Sequence, residues 1–79
     1  MQRELMRGAV VTMDGAGAWL SVRGHRGILE YGTQVLRLRM NGGALRIEGK
    51  GLMLERMDGE DILISGCVDS VTMERDCVQ

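Results

Sequence analysis

Leu36-Arg37-Leu38-Arg39-Met40-Asn41-Gly42-Gly43-Ala44-Leu45-Arg46-Ile47-Glu48 decides the fold. Leu36, Leu38 and Met40 alternate with Arg37 and Arg39, and Leu45 and Ile47 alternate with Arg46 and Glu48. A period of two places one set of side chains on a core face and the other toward solvent, the pattern of a half-buried strand. Between the runs stands Asn41-Gly42, the strongest short hairpin signal because both residues tolerate positive φ. For Leu38 to share a face with Leu45, and Leu36 with Ile47, cross-strand partners need numbers of opposite parity, which requires an even loop. A two-residue turn satisfies this and sets Arg37 opposite Arg46, a like-charge pair that costs a little. A four-residue loop over Asn41–Ala44 would set Arg37 opposite Glu48 instead; the two-residue turn is the favoured reading.

The same alternation recurs outward from this hairpin. Leu52 and Leu54 alternate with Met53 and Glu55, and Ile62 and Ile64 with Leu63 and Ser65. These four core positions are all even-numbered, so their pairing needs an odd loop. Met57-Asp58-Gly59 fits, with Gly59 left-handed, Leu54 facing Ile62 and Arg56 facing Glu60. Met53 then lies opposite Leu63 on the second face of the sheet, and Trp19, out of phase with Leu20 and Val22, joins the same side. An apolar spot there is either a second core layer or a contact surface. Trp19, Met53 and Leu63 are therefore the candidate protein-contact face.

An apolar–x–apolar–x–Gly unit occurs at Val11–Gly15, Leu20–Gly24, Leu38–Gly42, Leu45–Gly49 and Ile62–Gly66. Its spacing is irregular, so the reading is a meander of strands ended by glycine turns rather than a solenoid. Twelve glycines without a proline, at 44% hydrophobic content, are unlike a disordered chain. Only the first seven residues suit a helix, which Gly8 would stop. The expectation is one all-β domain over residues 1–79. It holds seven or eight short antiparallel strands in a β-meander curling into a small sandwich or open barrel, with 1–8 and 75–79 as mobile tails.

Seventy-nine residues bury one thin core. Ten basic against eleven acidic side chains give a net charge of -1, which offers no long-range pull toward nucleic acid or an anionic membrane. No stretch is long and apolar enough for a signal peptide or a span, so the plain reading is cytoplasmic, without membrane insertion. Cys67 and Cys77 are too few for a disulfide framework and read as two free thiols in a reducing compartment.

No catalytic constellation assembles, and the chain reads as a non-enzyme. His25, the single histidine, sits in the glycine-bounded turn Gly24-His25-Arg26-Gly27, where it is a surface residue or a structural hydrogen-bonder. Neither cysteine has zinc-ligand spacing, and no metal or other cofactor is expected. Asp58, Glu60 and Asp61 cluster at one turn and read as a solvated loop end. The Gly24–Gly27 run lacks the phosphate-loop pattern. A small nucleic-acid-binding β-barrel is the alternative function. It would combine a basic groove with stacking aromatics. Here Trp19 and Tyr31 are the only aromatics, and Glu48 and Glu55 sit near the stripe Arg37, Arg39 and Arg46.

Three segments carry a family resemblance. Leu20-Ser21-Val22-Arg23-Gly24-His25-Arg26-Gly27-Ile28-Leu29-Glu30-Tyr31 is similar to a strand, a His-x-Gly turn (His25, Gly27) and an Ile-Leu-Glu-aromatic strand. Leu45-Arg46-Ile47-Glu48-Gly49-Lys50-Gly51-Leu52 is similar to an I-x-G-x-x-L signature. Ile62-Leu63-Ile64-Ser65-Gly66-Cys67-Val68-Asp69-Ser70-Val71 is similar to a closing I-x-G-x-I-x-S-I run. In this order, from Val11 to Met73, they resemble the YabP/YqfC family of bacterial sporulation proteins. The resemblance implies a structural or assembly factor of endospore formation that acts by protein–protein interaction in spore envelope assembly. It also implies production in the mother cell, action at the forespore surface, and other sporulation proteins as partners, a membrane-anchored one among them. Self-association through the same face is a further expectation. The family pattern carries no catalytic residue.

Overall fold

A computed structural model describes residues 2–6 and 9–75 of the chain. It is all-β, with no helix among the described residues. Among the described residues seven strands run in chain order: β1 (Gln2–Met6), β2 (Ala9–Met13), β3 (Trp19–Arg23), β4 (Ile28–Tyr31), β5 (Val35–Met40), β6 (Gly43–Asp58) and β7 (Asp61–Arg75). They form one sheet in the order β1-β2-β3-β7-β6-β5-β4, antiparallel throughout. The edge strands β1 and β4 are not neighbours, so the sheet does not close into a barrel.

Three sequence expectations need correction. The strands are not a single meander: β1–β3 form one, β4–β7 another, and the chain crosses from β3 to the far edge so that the last strand returns to pair with β3. The lead-in expected as a tail or short helix contributes β1, which pairs with β2; of the expected C-terminal tail, Arg75 ends β7, and residues 76–79 lie outside the described residues. The glycines do not all separate strands, because β6 and β7 are 16 and 15 residues long with Gly49, Gly51 and Gly66 inside them.

Those internal glycines fold the sheet over. Sixteen extended residues span about 50 Å, yet the longest axis of the molecule is 36 Å, so β6 bends. Register shifts between Glu48 and Gly49 and between Lys50 and Met53 mark the bend, with Gly66 facing it from β7. A Cβ on Gly66 would lie 2.5 Å from the Gly51 carbonyl oxygen, and one on Gly49 would strike the Cys67 carbonyl. Backbones this close exclude any side chain. The bend divides the sheet into two layers that share β6 and β7. One holds β2, β3 and the turn-side halves of β6 and β7; the other holds β4, β5 and their remaining halves.

The core lies between the layers. Leu20, Val22, Ile62 and Ile64 from the first meet Leu36, Leu38, Leu45 and Ile47 from the second, all essentially fully buried, with Val11, Met40 and Leu52 around them. Each even-numbered position expected inside from the alternation is there; Leu54 is half-buried. The first hairpin has the expected register, with Met40 opposite Gly43, Leu38 opposite Leu45 and Arg37 opposite Arg46. Within the two-residue turn, Gly42 takes a positive φ, of 95°, and Asn41 does not.

The second hairpin differs. Asp58 pairs with Asp61 across a two-residue turn, Gly59-Glu60, and the odd residue that parity demands is a bulge at Glu55, between Leu54 and Arg56. Gly59 is left-handed as expected, at φ 50°. Leu54 therefore faces Ile64 rather than Ile62, and Met53 faces Ser65 rather than Leu63.

Candidate functional site

The bulge keeps the three candidate residues on one face. Trp19 lies opposite Ser65, which lies opposite Met53, making a row across β3, β7 and β6. The next row on the same face is Ser21, Leu63 and Arg56. Trp19 and Leu63 are thus diagonal neighbours, within reach of each other's side chains. Leu63 is half-buried, while Trp19 is 39% and Met53 55% exposed. No second core layer covers this face among the described residues.

Trp19 and Leu63 line a groove of about 590 Å³, together with Thr12, Ser21, Arg56 and Asp58. Met53 stands beside it rather than in its lining. The rim carries charge. Glu55, pushed out by the bulge, accepts a hydrogen bond from the Ser65 hydroxyl at 2.6 Å. Asp61 pairs with Arg23 at 3.1 Å, both exposed. Asp58 directly opposes Asp61 across the hairpin end and, with Glu60, has no ion pair among the described residues. Like charges directly opposite one another are unfavourable in a sheet. Sequence reading missed Asp58, Asp61 and Arg56 as groove residues because the cluster looked like a solvated turn. The bulge that swings Arg56 opposite Leu63 depends on pairing that no local pattern reveals.

The outer face of the other layer is chemically different. Arg37 and Arg46 are opposed, as the hairpin register requires, and Glu74 of β7 lies between them. Its Oε1 accepts from Arg37 at 2.9 Å and its Oε2 is 3.7 Å from Arg46. Glu48 reaches Arg46 at 3.6 Å and Glu30 reaches Arg37 at 3.9 Å. Two of the three arginines in the expected basic stripe are therefore neutralised locally, while Arg39 is exposed without an ion pair among the described residues.

His25 and Gly27 form a seam rather than a surface loop. The Gly24 and His25 amides donate to the Glu60 carbonyl, at 2.8 and 3.3 Å, in the first layer. The Arg26 amide donates to the Arg39 carbonyl at 2.6 Å, and the Arg39 amide to the Gly27 carbonyl at 2.9 Å, in the second. The imidazole is buried, and its Nδ1 accepts from the Gly27 amide at 3.1 Å. An accepting Nδ1 leaves the ring proton on Nε2, which is buried without a partner among the described residues. Of the two sequence readings of His25, the structural hydrogen-bonder describes this geometry. Tyr31 also ties the layers, its hydroxyl accepting from the Leu54 amide at 3.1 Å while the ring stays exposed.

Cys67 is a free, exposed cysteine, and Cys77 lies outside the described residues. No group of three or more His, Cys, Asp or Glu side chains is arranged to hold a metal among the described residues. No helix of the described residues is long and apolar enough to cross a membrane.

No curated protein and no solved structure matches the chain. The model of the YabP family matches residues 8–78, nearly the whole length and every strand from β2 to β7. The chain belongs to the YabP family.

Proposed function

We propose that this chain serves endospore formation as a non-catalytic assembly factor that holds another protein against the outer face of its first layer. Family membership supports the sporulation setting, since the family is one of sporulation proteins. The observation that carries the contact role is the row Trp19–Ser65–Met53 with Leu63 beside it, large apolar side chains left on a sheet face with nothing described above them. Contiguous exposed apolar surface on a small domain marks an interaction site more often than scattered apolar residues do. The partner in this reading is another sporulation protein, a membrane-anchored one at the forespore surface being the form the resemblance suggests, and the chain acts in the mother-cell cytoplasm.

Deletion of the gene in a spore former, followed by a count of heat-resistant spores, tests the setting. The expected outcome is a clear drop in count, restored by the wild-type gene and not by Met53→Glu. Met53 is more than half exposed and points away from the core, so this variant is expected to fold with an unchanged urea midpoint. A normal count in the deletion strain would remove the proposal.

A further inference from the structure

Resting on that reading of the face as a protein-contact site, the groove's own chemistry narrows what its partner looks like. Its floor is apolar, with Trp19 and Leu63 side by side. Its charged lining is Glu55, Asp58 and Asp61 against the single cation Arg56. Asp61 is answered by Arg23 and Glu55 by a hydroxyl, but Asp58 is answered by nothing among the described residues and faces Asp61 directly. The isolated protein thus holds two carboxylates across from each other at the groove's end, an arrangement that an incoming cation relieves. A polyanion meets a net negative lining there and is repelled.

We propose that the groove receives a short extended segment of another protein in which lysine or arginine stands two positions to either side of an apolar side chain. The apolar side chain packs between Trp19 and Leu63. The flanking cations reach Asp58 at the turn and Glu55 at the bulge. An extended segment suits the site because successive side chains alternate in direction, so residues two apart meet the groove together. Charge complementarity of this kind raises the association rate and selects among partners more than it adds affinity.

The full chain carries its own reporter, since Trp19 is the only tryptophan and lines the groove. Its fluorescence is followed while the protein is titrated with an end-capped pentapeptide in the order lysine, serine, leucine, serine, lysine, which puts leucine and both lysines on one face of an extended chain. The same pentapeptide with both lysines replaced by glutamate, and the same pentapeptide with its leucine replaced by serine, are the comparisons. The lysine–leucine peptide is expected to bind about tenfold or more tightly than either, a difference of about 1.4 kcal/mol, and to weaken as salt rises. Asp58→Lys changes an exposed side chain with no described hydrogen bond or ion pair and is expected to remove the preference for lysine over glutamate.

Equal binding of the lysine and glutamate peptides would overturn the inference while leaving the contact role standing. Absence of any response to all three peptides would overturn it as well. A dimer in sedimentation that Leu63→Glu dissociates would assign the groove to a second copy and also overturn it. The spore count bears on the functional proposal alone, so the two fail separately.

Discussion

At the scale of single residues, His25 is a buried polar residue among the described ones. Its ring is buried at the seam, and the one hydrogen bond it makes accepts the Gly27 amide. Replacing it by phenylalanine keeps an aromatic plug but leaves that amide without its acceptor, which costs about 1–3 kcal/mol. His25→Phe is therefore expected to lower the urea midpoint without changing the slope of the transition; an unchanged midpoint would mean that the amide finds another acceptor. Arg37 and Arg46 show what a local reading can and cannot see. Their opposition, and its penalty, followed from parity together with the Asn41-Gly42 turn signal. The compensating Glu74 was illegible because it stands near the far end of β7, which returns to them only after the second hairpin.

At the scale of elements, the alternation of apolar and polar residues made the strands legible, since the direction of each side chain depends only on its place in its own strand. The two-residue loop of the first hairpin was legible because the alternation demands an even loop and Asn41-Gly42 marks a two-residue one. The second hairpin was legible in parity but not in place: the extra residue sits at the Glu55 bulge and not in the loop. A bulge depends on how the partner strand runs, which the local pattern does not encode. The glycines divide in the same way. Gly24 and Gly42 end strands as expected, whereas Gly49 and Gly66 lie inside them because another backbone passes where a Cβ would be. Gly66→Ala meets both a φ of 125° and the Gly51 carbonyl, and is expected to cost about 2–4 kcal/mol. Gly15→Ala, with nothing near its added carbon, is the matched control and is expected to be close to neutral. Equal thermal midpoints for the two variants would show that the bend does not depend on bare backbone.

At the scale of the whole molecule, the two layers share β6, β7 and one continuous core, so neither has a hydrophobic interior of its own. Unfolding is expected to be a single transition, with Trp19 fluorescence from the first layer and far-ultraviolet dichroism from both giving the same urea midpoint. Separate midpoints would mean that the layers melt independently. That Trp19, Met53 and Leu63 share one outer face was legible, because a residue out of phase with its core neighbours is visible in sequence. Its acidic rim and its groove were not, because they arise where β2, β3 and the second hairpin come together. The pairing of β3 with β7 sets a schedule for synthesis. Residues 19–23 wait for residues 61–65 to leave the ribosome before they gain their central neighbour, and contacts between segments so far apart in the chain form slowly. The first layer is therefore completed only once residues 61–65 have emerged, and until then β3 carries an unpaired edge of the kind that invites aggregation.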